Sequence, residues 1–547
     1  HDGFTLEAAE SVLGNAVDTV RGLVDQSLLS VKETPAGLRY RMLETVREFG
    51  RMQLVQADEA SAAQAALRRW ASVYVRAHGD RLASTSQFEA IDALSAEEIN
   101  LADELRGAIA DDDLPSLVQL LAVLGLFWTM RGEHVRLLVL AQAVADAVSG
   151  WQPPPELADT ALAAVGITLS NSVMTGSQTT GRLLDLLRGL GPDTGGNVYL
   201  SGLIKVMLAF DPVDDEAFLP GLEQLADDPD RHVAAAASQW LSHTRENAGD
   251  PVGSLQAARR ALALARDEDG PWARAMPQTV LAQLAMNMGD RAAAIEYAQA
   301  AILVMQRLGA SDDEIELRTL LVHCAIADGR LADAEAELER IDRIGESATV
   351  FGVPAFQQLC HAELALASGD LSAGLRAYRD YVARMREQEF PGIARTGTEP
   401  WVVAADAIAL TAHAYYAKGD DEAHGRTLFH DCRERVLTVF SSANTRLDYP
   451  ITGQLLFALG AWSLLRRAAP ADDAVRLLVL AERFAYARLS PTVQWERIEP
   501  PAEEAAPGRI AGLRAEYADR RLPDLVAEAR QAVERLLSLQ MPSVAPH

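Results

Sequence analysis

Apolar residues recur at intervals of three and four from Phe4 to Leu13 and again from Ala16 to Gln26, so two amphipathic helices are predicted at the start of the chain. The pattern then changes. Leu28-Leu29-Ser30-Val31-Lys32 and Leu38-Arg39-Tyr40-Arg41-Met42 flank Thr34-Pro35-Ala36-Gly37 and read as two short strands joined by a turn. Helical periodicity resumes at Leu43 and runs through Val46, Phe49, Met52 and Leu54. Helix, helix, hairpin, helix is the order of a small winged-helix domain. Beyond it the helical period dominates, and no second hairpin is predicted.

Further along, glycines set a register. Gly249, Gly289, Gly329 and Gly369 stand forty residues apart, each closing a stretch of helical period. A tetratricopeptide-type helix pair needs a turn-forming Gly between its helices and small residues where they cross. Five residues after each Gly come Ser254, Ala294, Ala334 and Gly374. Nine and twelve after come Ala258 and Ala261, Ala298 and Ala301, Leu338 and Ile341, Tyr378 and Tyr381, one stripe of a second helix. Gly419-Asp420 repeats the turn after an insertion containing Phe390-Pro391-Gly392, with His424 where the small residue belongs. A last pair is predicted around Trp462 and Ala474. Before residue 230 the helical segments, near 114–148, 155–173, 177–190, 197–210 and 215–227, lack a fixed offset. Glu499 to Gly508, with Pro500-Pro501, reads as a linker before terminal helices at Leu513–Tyr517 and Leu525–Leu536.

The predicted fold class is all-α: a TPR-like α-solenoid, a superhelix of helix pairs, preceded by a small winged-helix domain. Its divisions are the winged helix at 1–57, a helical linker with the first repeats at 58–150, irregular repeats at 151–230, TPR-like repeats at 231–490, and a linker with C-terminal capping helices at 491–547. Such stacking leaves a concave face able to bind a ligand.

Composition narrows the partners. With 547 residues the chain exceeds one ordinary core, and 49% hydrophobic but only 6% aromatic residues suit helices packed through Ala and Leu. A net charge of −27 opposes broad contact with nucleic acid. Only Lys32, Lys205 and Lys418 are lysines, a bias that fits a bacterial genome rich in G and C. Cys324, Cys360 and Cys432 lack a C-x-x-C spacing, which argues against a disulfide framework and a Cys-based zinc site and for a reducing cytoplasm. No stretch resembles a signal peptide; the longest apolar run, Leu117 to Met130, is too short for a membrane span and reads as a buried helix. The opening His1-Asp2-Gly3 runs at once into a helix and suggests a fragment of a longer protein.

Leu23-Val24-Asp25-Gln26-Ser27-Leu28-Leu29 followed by Tyr40-Arg41-Met42-Leu43-Glu44-Thr45-Val46-Arg47-Glu48-Phe49 resembles the winged-helix segment of bacterial STAND regulators, signal-transduction ATPases with numerous domains. Glu98-Ile99-Asn100-Leu101 is similar to that family's E-x-N-L step, and Phe127-Trp128 with Arg131-Gly132 to its W-x-x-R-G step. The resemblance is specific at the start and generic in the middle. It implies a P-loop ATPase upstream, which would bind ATP or ADP, and an effector domain beyond that, as in the large SARP-type and LuxR-type activators. No G-x-x-x-x-G-K-[ST] occurs in this chain, so no cofactor is expected within it and it is not expected to be an enzyme. Arg47 and Arg51 are offset by Glu44 and Glu48, so contact with DNA is expected through a separate domain.

Six positions before each turn Gly stand His243, Gln283, His323, Glu363 and His413. If the first helix of each pair lines the groove, this polar row is a candidate ligand track, with Gln239, Asn287 and Tyr416 beside it. Solvation of an open inner face would explain the same row. No catalytic motif or metal site is predicted: His424, His430 and Cys432 are badly phased for chelation, and Gly189 to Gly196 follows a helix and lacks Lys. His323-Cys324 and Cys360-His361 fall on first helices of adjacent repeats, where they could approach one another, but buried small residues are the expected reading. The expected role is the sensor region of a STAND transcriptional regulator, in which a small-molecule inducer or a peptide or protein partner acts on the chain's own ATPase, without a membrane. A constitutive TPR scaffold for protein–protein interaction and the sensor of a STAND protein with a nucleotide cyclase effector are the alternatives.

Overall fold

The structure is a computed structural model that describes residues 3–34, 37–173, 178–191, 198–210, 218–345, 353–389, 393, 395–441 and 447–538. Pro35 and Ala36 of the hairpin turn, Pro192 to Gly196, Asp215 to Ala217 and Phe390-Pro391-Gly392 lie outside them. The chain is 80% helical, with 26 α-helices among the described residues. It divides into two compact units: His1–Pro212 with Pro229–Ala236 and Ala265–Ala273, and Val213–Asp228 with Ala237–Leu264 and Arg274–His547.

In the first unit α1 (Leu6–Leu13) and α2 (Val17–Asp25) precede β1 (Leu29–Thr34), antiparallel to β2 (Gly37–Met42), then α3 (Glu44–Gln56). A bridge between Phe4 and Tyr40 adds a third short pairing that periodicity did not signal. Ala9, Ala16, Val20 and Leu29 form the small core here. α3 buries none of its residues, and its Phe49, Met52 and Val55 are exposed. Seven helices follow: α4 (Ala60–Gly79), α5 (Gln87–Ala110), α6 (Leu114–Met130), α7 (His134–Ala147), α8 (Ala158–Ser172), α9 (Gln178–Leu190) and α10 (Val198–Ala209).

Residues of the E-x-N-L and W-x-x-R-G steps meet in this unit. Arg39, buried on β2, donates to Glu97 at 2.7 Å and to the Gly3 carbonyl at 2.8 Å, a carbonyl that Asn100 also reaches at 2.9 Å. Glu98 accepts from the Trp128 indole at 3.1 Å and lies 3.4 Å from Arg131 and 3.1 Å from Arg136. These side chains fasten α5 to the hairpin on one side and to α6 on the other. α6 is apolar on nearly all faces and buried; among the described residues no helix is long and apolar enough to cross a membrane.

The second unit holds α11 (Phe218–Ala226) and a run of helix pairs. These are α12 (Arg231–Asn247) and α13 (Pro251–Leu264), α14 (Pro271–Asn287) and α15 (Arg291–Leu308), α16 (Ser311–Ala327) and α17 (Leu331–Gly345), and α18 (Val353–Ala367) and α19 (Leu371–Glu387). They continue with α20 (Pro400–Tyr416) and α21 (Asp420–Ser441), and with α22 (Tyr449–Leu465) and α23 (Ala471–Arg483); α12 and α14 each begin in the first unit. Gly249, Gly289, Gly329 and Gly369 carry φ of 74°, 81°, 73° and 90°, the left-handed conformation that stops a helix. The next residue's N–H returns to the carbonyl five back, as from Asp290 to Ala285 at 2.8 Å. Asp250, Asp290 and Asp370 then cap the second helix. Ser254, Ala294 and Ala334 are fully buried at the crossings. Ala258, Ala261, Ala298, Ala301, Leu338, Ile341, Tyr378 and Tyr381 form a buried stripe.

The predicted linker at 499–508 is instead mostly helix. α24 (Trp495–Ala505) runs through Pro500 and Pro501, because Trp495, Ile498 and Ala502 are buried on one face and that packing outweighs the lost N–H groups. α25 (Arg509–Tyr517) and α26 (Leu522–Ser538) end the unit, packed on α23 through Leu513, Tyr517, Leu525 and Ala529.

Candidate functional site

The row that the glycine register selects is placed by the last turns of α12, α14, α16 and α18, where His243, Gln283, His323 and Glu363 each stand four residues before the helix end. His413 does not join them. α20 ends three residues before Gly419, whereas the four earlier helices end two before their Gly. That extra residue turns the position by about 100° around the helix. His413 is fully buried, donates from Nδ1 to the Ala409 carbonyl at 2.8 Å, and packs 5.2 Å from His424. Gly425, one residue beyond the expected small position, permits this: a Cβ there would lie 3.1 Å from that of His413 and closer still to Trp462.

The middle of the row is filled by the chain itself. Between α23 and α24 an irregular strap, residues 485–494 with one 3-10 turn at Pro491–Val493, crosses α14, α16 and α18 through polar contacts. The Arg488 N–H donates to Asn287 Oδ1 at 2.9 Å, and His323 Nδ1 donates to the Leu489 carbonyl at 2.7 Å. Glu363 accepts from the Thr492 N–H at 3.2 Å, from its hydroxyl at 2.8 Å and from the Tyr378 hydroxyl at 2.6 Å. Ser490, Pro491, Thr492 and Val493 are buried, and Gln494 braces the bend by donating to the carbonyls of Arg488 and Ser490 at 2.7 and 3.0 Å. A carbonyl only accepts, so His323 carries its proton on Nδ1, and burial holds its imidazole below the ordinary histidine range. Farther along, Tyr416 accepts from Arg497 at 2.5 Å, and the same guanidinium lies 4.6 Å over the Tyr415 ring.

At the near end the row is paired among its own helices. Gln283 donates to Glu316 Oε1 at 2.6 Å, and Asn287 donates to Glu246 Oε1 at 3.4 Å. Burial and neighbouring carboxylates raise both Glu246 and Glu316 to about 7, Asp448 acting on the first, Asp313, Asp312 and Glu246 on the second. His243 is exposed on α12, and the protein around it lowers its pKa through desolvation. Gln239, half-buried, stands one turn earlier on the α12 face of His243.

Glu246 and Glu316 escaped sequence reasoning because neither has the six-residue offset: Glu246 stands one turn after His243 on α12, and Glu316 two turns before His323 on α16. Elsewhere, Cys324 meets Met286 and Cys360 meets Thr319, each at 3.6 Å, so the two thiols keep separate partners. Cys432 is fully buried while His430 is exposed beside Glu434, and no metal-binding group of three is present among the described residues. A cleft of about 280 Å³ beside Trp151 and Leu190 in the first unit includes Arg182, already paired to Asp146 at 2.7 Å. No protein-family model and no curated protein sequence matches this chain.

Proposed function

We propose that this chain is the winged-helix and TPR-like sensor region of a STAND-type transcriptional regulator, and that an inducer binds along the polar row of the second unit, near Gln283 and His243. The observation that carries the reading is the polar row itself: Gln283 and Asn287 donate to Glu316 and Glu246 on the neighbouring helices, beside a strap that already occupies His323 and Glu363. The interlocked Glu98, Trp128 and Arg131, which match the family's steps, support the assignment to that family. An inducer acts by binding one state of the switch more tightly than another, about 1.4 kcal/mol for each tenfold shift. ATP or ADP binding and DNA contact belong to other domains of the regulator, and the second unit supplies the ligand-dependent restraint.

Calorimetric titration of metabolites and peptides against the chain, repeated with Gln283→Ala and His243→Ala, tests this. A ligand whose heat is lost in both variants is expected. If every ligand response survives both substitutions, the groove assignment fails. A constitutive peptide scaffold is the second reading, favoured by the strap itself, because His323 and Glu363 already hold main-chain groups of Leu489 and Thr492. Binding of extended peptides irrespective of metabolite would decide for it.

A further inference from the structure

After α7 the chain of the first unit reverses at Gly150, whose φ of 75° is left-handed, and the Trp151 N–H closes the turn on the Val148 carbonyl at 3.2 Å. Trp151 thereby comes to line the cleft of about 280 Å³ together with Leu186 and Leu190 of α9. Ala161 and Val165 of α8 lie at its bottom. They are each only 1% exposed although they line the cleft, so the space narrows above them to a slot that suits a flat ring. Its volume is near the lower limit for small-molecule pockets, about 300 Å³, which fits one ring or two fused rings and excludes a nucleotide or a folded peptide.

A second observation concerns charge. Arg182 lines the cleft and is held from one side only: its Nη2 lies 2.7 Å from Asp146 Oδ1. Asp146 Oδ2 accepts from Gln142 Nε2 at 2.9 Å, and Gln142 Oε1 accepts from the Thr179 hydroxyl at 2.7 Å, a relay that fixes the carboxylate and with it the guanidinium. The remaining N–H groups of Arg182 have no hydrogen-bond partner among the described residues. Asp185, the carboxylate that also lines the cleft, is 80% exposed and stands 3.9 Å from Arg188, so its charge is met by that arginine and by water.

We infer that this cleft binds a small aromatic monocarboxylate, with the ring between Trp151 and the Leu186 and Leu190 face of α9 and the carboxylate on the free N–H groups of Arg182. A guanidinium carries enough donors for two planar anions, and one already pinned by Asp146 gives up little freedom on taking the second. An apolar slot alone would be indifferent to the charge of its ligand, and Arg182 gives it a sign. The site lies in the first unit and shares no residue with the polar row, so it stands or falls separately from the inducer site proposed there. Gly189 offers a way to close it. This residue is exposed on α9, lines the cleft, and has open space where a Cβ would stand, so a side chain added there enters the cleft without meeting the fold.

The test is calorimetry of the full chain with indole-3-acetate, indole-3-acetamide and tryptamine, one ring system in three charge states, and with hexanoate as an aliphatic acid, at about 0.15 M salt, where loose attraction to the acidic surface is screened. One-site binding of indole-3-acetate is expected, about tenfold tighter than the amide, with tryptamine and hexanoate weaker still. Arg182→Gln should erase the preference of acid over amide. Gly189→Leu should abolish binding of both while melting at or above the wild-type temperature, because Leu is the better helix former, which separates a filled cleft from a lost fold. Should that variant melt early, Arg182→Gln decides alone, since its side chain is 42% exposed and its removal leaves the core intact. Absence of one-site binding, tryptamine or hexanoate binding as tightly as indole-3-acetate, a preference for the acid that survives Arg182→Gln, or full affinity in a folded Gly189→Leu overturns the inference.

Discussion

Glu363 shows what a single side chain does in the groove. It accepts three hydrogen bonds, two from Thr492 and one from Tyr378, all buried. Replacing it by Ala leaves those donors unsatisfied, each costing about 1 kcal/mol or more. Glu363→Ala is therefore expected to lower the stability of the second unit by roughly 3 kcal/mol, seen in calorimetric unfolding, with Glu363→Gln milder because it keeps an acceptor. His413 gives a pH signature. Burial is the main cause that lowers it to about 4, and nearby His424 and Arg379 add to the effect. A histidine depressed in the fold is neutral there and protonated in the unfolded chain below about 6.5, so its contribution is full above that pH and lost as pH falls toward about 4. Denaturant titrations between those values should show wild type losing stability faster than His413→Gln; parallel profiles would remove His413 as the cause. The glycine offset found four of the five row positions on equivalent turns. It misplaced His413 because one added residue between Tyr416 and Gly419 is invisible to a count made from the glycine alone.

Among elements, the glycine turns were the most legible, since a left-handed stop and an Asp cap are local chemistry. Two glycines of this series should nevertheless behave differently. Gly329 has φ of 73° with open space around its Cβ position, so Gly329→Ala costs about 1 kcal/mol of backbone strain. Gly374 sits inside α19 with ordinary helical backbone, but a Cβ there would lie 2.6 Å from the Leu366 side chain and 3.1 Å from the Ala362 carbonyl. Gly374→Ala is expected to cost about 1–3 kcal/mol through overpacking, and trimming Leu366 to Val should rescue it but not Gly329→Ala. Melting temperatures of the two single variants and the two combinations check this. α24 was read as a linker because Pro500 and Pro501 are strong local breakers, and only tertiary burial of Trp495 and Ile498 reverses them. The strap was illegible for a related reason: its partners lie 129 to 201 positions away, beyond any periodicity.

At the scale of the whole molecule, the first unit gains its order from named side chains, Arg39 with Glu97 and Glu98 with Trp128, and the second from the register of its turns. Thiol chemistry is a global test of both the fold and the sequence reading. Cys324, Cys360 and Cys432 are free and buried, and burial raises them to about 11, 12 and 12. A thiol reagent at neutral pH should leave the native chain untouched and count all three only after denaturation; a fast-reacting native thiol would contradict the packing around α16, α18 or α21.

The strap has a further consequence for how the second unit unfolds. In an open stack of repeats each helix pair answers only to its neighbours, so stability adds along the array and fraying begins at an end. Here residues late in the chain are hydrogen-bonded to α14, α16 and α18. Those contacts tie the last repeats to pairs several repeats earlier, raise contact order, and make folding slower than a nearest-neighbour stack of this length would fold. Unfolding should then be a single cooperative event for this unit, and shortening the chain from its C-terminus past Gln494 should destabilise pairs far upstream of the cut.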